Sequence, residues 1–501
     1  MDHINISAIP KPVLSVLGVL KNAGHQGHIV GGCVRDLLLG REPKDWDITT
    51  DARPETVLSL FPDSFYENDF GTVGVKVDPF HTFGDPDRRH DVIEVTTYRT
   101  ESSYSDRRRP DKVAFVTSLP EDLSRRDFTM NAIALEIIGS DTSVDIVDPF
   151  HGRVDIANKL IRTVGNPEQR FGEDALRMMR AVRLYAELRH PNISGGWSID
   201  MAALSAIRKH AALLSHVSRE RVRDEFSRII LSGSPADGVE LLRTAGLLHD
   251  IVPELEEGIG VGQNLHHTLE VYEHNLRSLR HCPSRKLEVR LAALLHDIGK
   301  PKTKRGDGYR STFYNHDHVG ARMTRAILGR LRYPAAVIDS VTMLVDNHLF
   351  YYNVGEVTEA SVRRLIRRVG LENMKDLMDV RIADRLGSNV PKAKPYKLRH
   401  LEYMIEKVSK DPVSVKMLAI NGSDLMNDLG LDPGPKLGAI LDVLLSEVIE
   451  DPSRNERETL LSRAESLSKD GLETLRDKAK EVIDEKREKD DRNIKNRHKV
   501  T

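Results

Sequence analysis

Between about residues 25 and 150 the apolar positions fall in short, β-branched runs bounded by Gly, Pro and Asp. "GVKV" (74–77), "DVIEVTTY" (91–98), "KVAFVT" (112–117) and "AIALEII" (132–138) predict strands, with a helical piece, "PETVLSLF" (54–61), between them. From about residue 155 the period changes to 3.6. "GEDALRMMRAVRLYAEL" (172–188), "RERVRDEFSRIIL" (219–231), "PADGVELLRTAGLL" (235–248), "KLEVRLAALLHDIG" (286–299) and "KLGAILDVLLSEVIE" (436–450) predict amphipathic helices. The fold class is therefore α+β: a small mixed-sheet head followed by a mostly α-helical body. The stretch "VLSVLGVL" (13–20) predicts a helix packed on the head rather than a secretory leader, because no basic flank precedes it and no small-residue cleavage site follows. The densely charged end, from Arg476 onward, predicts a solvated helix fading into disorder.

Composition narrows this picture in three ways. A chain of 501 residues exceeds one core and implies several domains. With 74 basic and 76 acidic side chains the net charge is −2, which neither demands nor excludes a nucleic-acid partner; local clusters decide. Such clusters occur at Arg107–Arg109, Arg125–Arg126, "RRLIRR" (363–368) and "PKAKPYKLRH" (391–400). Cys33 and Cys282 are too few for a disulfide framework and predict a reducing, cytoplasmic setting. No apolar run approaches the roughly 18 residues that span a bilayer, so no membrane partner is expected.

The chemistry concentrates first in "VGGCVRDLLLGREPKDWDITT" (30–50). If "DWDITT" is a strand, Asp45 and Asp47 share one face about 6.6 Å apart and can converge on a hard cation such as Mg²⁺. Gly31–Gly32 lets backbone N–H groups approach a phosphate, and Arg35 adds a cation for its oxygens. Glu94, central in a predicted strand, supplies a third carboxylate, and three acids around two ions suit in-line phosphoryl transfer on a nucleotide. Further on, Asp174, Arg177, Arg180 and Arg183 step by three along a predicted helix. Asp174 and Arg177 would face a base edge as acceptor and donor, with Arg180 and Arg183 nearer to phosphates. A second constellation comprises His267, His296–Asp297, His318, His348 and Asp384, whose donors suit a divalent transition metal.

"GGCVRDLLLG…DWDITT", "IEVTTYRTE", "RRDFTMNAIA", "DPFHG" and "RFGEDALRMMRAVRL" resemble, in order, the motifs of class II tRNA nucleotidyltransferases, the CCA-adding enzymes and bacterial poly(A) polymerases. The resemblance covers roughly residues 25–230. It implies template-independent addition of CMP and AMP, from CTP and ATP, to the tRNA 3′ end at the acceptor arm. Asp45 and Asp47 would bind Mg²⁺ and Glu94 would act on the tRNA 3′-hydroxyl. Gly32, Arg35 and Arg126 would contact the nucleotide, Asp174 and Arg177 its base, and Arg180 and Arg183 the triphosphate.

The histidine constellation resembles an HD phosphohydrolase domain, with His267, His296, Asp297 and Asp384 as core ligands and His318 and His348 at second-metal positions. The expected domains are a head over 1–155, a base-recognising neck over 156–250, the HD domain over 255–400, a helical tRNA-binding unit over 401–465 and a charged tail over 466–501. Three alternatives stand beside full CCA addition: poly(A) synthesis, addition of only CC or only A through a loop near 95–115, and an HD-type nucleotide phosphohydrolase using the head to bind RNA.

Overall fold

The structure, a computed structural model, describes all residues except 1–3, 5, 69–70, 81–89, 103–111, 139–142, 190–195, 264–268, 307, 351, 390–392, 410–414, 416–417 and 501. The chain divides into two compact units, residues 1–346 and 347–501. This division falls inside the expected 255–400 domain.

The first unit opens with helix α1 (Lys11–Asn22), which buries Val13, Val16, Leu17 and Leu20 as its period predicts. A seven-stranded mixed sheet follows, built from β1 (Gly27–Val30), β2 (Asp47–Thr50), β3 (Ser64–Asn68), β4 (Thr72–Val77), β5 (Asp91–Thr97), β6 (Ala134–Ile138) and β7 (Ser143–Val147). Its order is β3-β4-β5-β2-β1-β6-β7, with β2 parallel to β5 and antiparallel to β1. The predicted strand at "KVAFVT" forms at Lys112–Phe115 but pairs with Arg99–Ser102 in a separate ribbon. Helix α2 (Gly32–Leu38) leaves β1 through Gly31, whose φ of 90° is a conformation that favours glycine.

The helical part of this unit supplies α3 (Leu176–Leu188), α4 (Arg219–Leu231), α5 (Pro235–Thr244), α6 (Val271–Arg280), α7 (Leu287–Leu295) and α8 (His316–Arg330). One prediction changes here. The stretch 172–188 is not one helix: a preceding helix ends at Glu173, and Asp174 is extended, at φ −138° and ψ 107°. The Asp174 carboxylate instead accepts the Leu176 N–H at 3.0 Å, as short polar side chains do where a helix starts.

The second unit is helical: α9 (Glu359–Val369), α10 (Met374–Gly387), α11 (Tyr396–Ser409), α12 (Gly422–Leu429), α13 (Pro435–Glu450), α14 (Arg457–Leu467) and α15 (Leu472–His498). The expected tail over 466–501 is corrected by α15. Its start places Leu475 in the core of α12–α14, and its end places Ile494 and Val500 in the core of α9–α11. Asp491 accepts from the Tyr403 hydroxyl and pairs with Lys407 at 3.4 Å, and His498 bonds Glu406 at 2.6 Å. Charge density masked these few apolar anchors, because a long helix needs only an occasional buried residue to be held along its length. Ile494→Ala should therefore cost about 2–3 kcal/mol in a urea titration followed by circular dichroism. A loss below about 0.5 kcal/mol would put the end of α15 in solvent.

Candidate active site

The loop from β1 to β2 sets the geometry. A Cβ at Gly31 would crowd Asp47 Oδ2 at 3.1 Å and Arg126 Nη1 at 3.3 Å and would be strained at φ 90°, so glycine suits a turn that passes between this carboxylate and this guanidinium. Asp47 opens β2 and stands directly across from Glu94 in the parallel ladder with β5, which places their side chains on one face of the sheet. Asp45 precedes the strand in an exposed bend. The carboxylate set thus fits hard cations: acid oxygens at the end of a strand, exposed enough to be reached. Cys33, in the same turn, is no nucleophile, since burial, then the charge of Asp47, push its thiol up to about 12.

A cavity of about 710 Å³ opens over this turn. Of the residues expected in the site it gathers Gly32, Arg35, Asp45, Asp47, Arg126, Arg180 and Arg183. Glu94, Asp174 and Arg177 are not among its lining residues. The cavity also takes in Asp127 and Asn131, which the sequence argument passed over although both lie within "RRDFTMN".

These two residues build a chain of contacts across the site. Arg180 pairs with Asp127 at 2.7 Å; Asn131 Nδ2 donates to Asp127 Oδ1 at 3.3 Å; Arg35 Nη1 donates to Asn131 Oδ1 at 3.0 Å; and Arg35 Nη2 donates to Asp36 at 2.8 Å. Helix α3 is tied through this chain to the start of α2. Burial opposes ionisation of Asp127, yet Arg180 and Arg177, with bonds from Asn131 and the Phe128 N–H, outweigh it and hold the carboxyl below its usual range. Asp122, fully buried, is held down the same way: burial is outweighed by Arg125 and Arg126, and the pairing fixes the base of Arg126.

Arg177 and Asp174, outside the cavity lining, and Arg183, within it, are held by neighbouring groups, two of them on α4. Arg177 donates to Glu173 at 2.5 Å and to the Arg170 carbonyl at 3.2 Å. Asp174 pairs with Arg221 at 2.7 Å, and Arg183 with Glu225 at 2.7 Å and Glu187 at 2.8 Å.

A second cluster is buried elsewhere in the first unit. The Nε2 atoms of His274 and His296 lie 3.0 Å apart, and each is close to Asp297 Oδ2, at 3.2 and 3.3 Å. Donors around one cation at about 2.1 Å are separated by roughly these distances. His296 Nδ1 donates to the Ala293 carbonyl at 2.9 Å and His316 Nδ1 to that of Phe313 at 2.6 Å, which turns each Nε2 inward; that of His316 lies 3.2 Å from Asp297 Oδ1. Lys300 Nζ donates to Asp297 Oδ2 and Gln263 Oε1, each at 2.6 Å. Of the expected ligands, His296 and Asp297 are here, and His267 lies outside the described residues. His318 points away, exposed and paired with Asp346 at 2.6 Å. His348 and Asp384 belong to the second unit, both buried, with Asp384 accepting from Arg381 at 2.7 Å. His274 and His316 were missed. The pattern of α6 held a signal: His274 shares its buried face with Val271, Asn275 and Ser278.

A mixed sheet carrying convergent acids beside a glycine turn, roofed by arginines, is the architecture of a nucleotidyltransferase. Residues 27–162 match the poly(A) polymerase head domain, 196–259 a probable RNA- and SrmB-binding site of polymerase A, and 313–464 a putative domain 2 of tRNA nucleotidyltransferase. The CCA-adding enzyme of Limosilactobacillus reuteri is 31% identical over 468 residues, covering 93% of this chain and 99% of that one. That of Geobacillus stearothermophilus is 33% identical, covering 89% and 94%. A Geobacillus relative, strain WCH70, reaches 45% over 237 residues, about half of either chain. The crystal structure of the Bacillus stearothermophilus CCA-adding enzyme in complex with CTP superposes with a TM-score of 0.57 at 29% identity, over 92% of this chain and all of that one. The chain belongs to the CCA-adding enzyme family of tRNA nucleotidyltransferases.

The Asp127–Arg180 pair predicts a pH response. Because the folded-state value of Asp127 is depressed, its contribution is complete above the unfolded value near 3.9 and is lost as pH falls through the folded value. Asp127→Asn should cost about 2 kcal/mol near neutrality, the part-exposed Arg180 moderating the penalty, and should flatten stability against pH below about 4. Unfolding midpoints of the two proteins between pH 3 and pH 7 check this; parallel profiles would refute it.

Proposed function

We propose that this protein adds CMP and AMP, from CTP and ATP, to the 3′ end of tRNA and so completes its CCA terminus. The observation that carries the reading is the convergence of Gly31, Asp47 and Arg126 in one arginine-rich cavity that also holds acids, in a chain resembling CCA-adding enzymes over nearly their whole length. Asp45, Asp47 and Glu94 are the residues that would hold Mg²⁺. When bound, the ions supply Lewis-acid stabilisation of an in-line phosphoryl transfer and ease loss of the 3′-hydroxyl proton. The chain's own groups do the rest. The Gly31–Gly32 turn brings backbone N–H groups to the triphosphate, while Arg35, Arg126, Arg180 and Arg183 neutralise its oxygens.

Asp174 accepts from the exocyclic amino group shared by cytosine and adenine, and Arg177 donates to the ring edge. Uracil and guanine present a carbonyl where Asp174 needs a donor, and the lost bond costs about 1–3 kcal/mol. In the second unit, an open groove of about 340 Å³ lined by Phe350, Tyr352, Arg364 and Arg368 suits contact with the RNA backbone and bases. A cytoplasmic setting belongs to the same reading and accords with the free Cys33 and Cys282.

Transcripts ending before CCA, after C and after CC, incubated with Mg²⁺ and CTP, ATP or both, test the assignment at single-nucleotide resolution. Growth by three residues followed by arrest is expected, and Asp47→Ala should lower it by about a thousand-fold or more. Addition of CC alone or A alone would make it a split-activity member, and a long A tract a poly(A) polymerase.

The buried His274–His296–Asp297 arrangement favours a second reading: a transition-metal site of the HD phosphohydrolase type, acting on 2′,3′-cyclic or 2′-phosphate RNA ends. His274, His296 and Asp297 would hold the metal, with His316 on the other carboxylate oxygen. Wild-type protein should carry metal by mass spectrometry and, with Ni²⁺, add water to 2′,3′-cyclic AMP to open it to adenosine 2′- or 3′-monophosphate; His274→Ala should lose both while Asp47→Ala keeps both. Equal metal content and equal rates in wild type and His274→Ala would refute this reading.

A further inference from the structure

We infer that the cavity behind helix α1 is a binding site for a small zwitterion: an α-amino acid, or a compound of that size carrying an ammonium, a carboxylate and a short apolar side chain. About 220 Å³ lies open between α1, the turn into β1 and strand β6, and none of the residues lining it lines the candidate active site. Leu14 and Leu17 of α1 and Ile137 of β6 supply apolar wall. Two exposed charges of opposite sign share the lining, Lys21 in the last turn of α1 and Glu136 on β6. A further polar group is buried: His28 is 5% exposed. Its Nδ1 bonds the Tyr98 hydroxyl at 2.7 Å, which leaves Nε2 3.8 Å from Glu136 Oε2, a gap wider than a hydrogen bond and closed by an intervening polar group. Burial outweighs the pull of Glu136 and Asp51 and holds the ring below its ordinary value, so His28 is neutral near pH 7. A neutral ring nitrogen accepts from an ammonium or donates to a carboxylate according to its tautomer, and a zwitterion offers both.

Gly18 points the same way. It interrupts the middle of α1, where glycine costs about 1 kcal/mol against alanine, yet a Cβ there would meet nothing within 4 Å. Packing does not require the glycine; what the missing side chain leaves open is the cavity. The polar turn is fixed before any ligand arrives. Asp51 accepts the Gln26 N–H at 2.9 Å and pairs with His25 at 3.2 Å, and the Thr50 hydroxyl donates to the Gln26 carbonyl at 2.5 Å. Size and charge exclude other occupants. The volume falls below the roughly 300–1,000 Å³ of drug-sized sites, and Glu136 repels a polyphosphate, so a nucleotide does not fit. Neither His28 nor Glu136 belongs to a group of three metal donors among the described residues, so a metal centre has too few ligands.

The test is isothermal titration calorimetry of the full chain with L-alanine, L-valine, L-leucine and L-methionine, in saturating CTP and Mg²⁺ so that the candidate active site is filled. At least one should bind at one site per chain with a Kd of about 1 mM or tighter. Its ammonium-only and carboxylate-only analogues (for leucine, isoamylamine and 4-methylpentanoate) should each bind about ten-fold more weakly or worse. Glu136→Gln should weaken the amino acid by a similar factor. Gly18→Leu, which places a side chain in the open space, should remove binding while the thermal midpoint and the extension of a tRNA transcript stay near wild type. No heat from any of the four at about 10 mM leaves the cavity to water and overturns the inference. So does equal affinity for either single-charge analogue, or wild-type affinity in Gly18→Leu. Unchanged affinity in Glu136→Gln overturns it whether or not Gly18→Leu folds; should Gly18→Leu not fold, weakened affinity in Glu136→Gln supports it.

Discussion

The candidate site depends on one buried carboxylate. Asp127 lies in the segment between the head's ribbon and β6, yet it pairs with Arg180 from a helix far along the chain, and through Asn131 it reaches Arg35 at the start of α2. Without it, Arg180 would lose the acid that aims it, and Asn131, which accepts from Arg35, would lose its own acceptor. With it, Arg180 is oriented before any ligand arrives. Electrostatic catalysis requires this, because groups already aimed at developing charge need not reorganise during the reaction.

Much of this architecture is legible in the sequence because its elements are strongly periodic. The α+β head, the helical body and the helices at 219–231, 235–244 and 435–450 follow from apolar spacing alone. The acids were legible for a similar reason: Asp47 opens a strand and Glu94 occupies the next strand's centre, so their register as neighbours depends only on which strands pair. What failed was local. Asp174 broke the expected helix because a carboxylate followed two residues later by a free N–H can cap a new helix as well as ride on an old one. Asp127 and Asn131 were invisible because their importance comes from Arg180, some fifty residues away, and no spacing rule connects them. The charged α15 misled for the opposite reason: average polarity hid the few residues, Leu475, Ile494 and Val500, that anchor it.

The histidine cluster shows the same limit at finer resolution. Its doublet, His296–Asp297, was identified from an apolar helix ending in buried polar groups. Its partners were assigned by order along the chain, and order does not choose between neighbouring histidines. In "NHDH", His316 and His318 differ by two positions, about 200° around a helix, so one faces in when the other faces out. The structure places His316 against Asp297 and gives His318 to Asp346 at the surface. Helical phase relative to the buried face, not proximity to a motif, decides which residue is available to a metal.

Four arginines of the candidate site are each held by an acid. Arg126 leans on Asp122, Arg180 on Asp127, Arg183 on Glu225 and Glu187, and Arg177 on Glu173. Each of these four cations is thus supplied with its own acid, and the five acids outnumber them. A chain that used unpaired basic residues would bind any polyanion and would bind it loosely. Pairing lowers the raw attraction, but it spends less entropy on ordering long side chains and leaves only those N–H directions that point into the cavity. Where an anion or a base edge has to be met in one geometry, direction matters more than charge, because an arginine free to point anywhere discriminates between no two ligands.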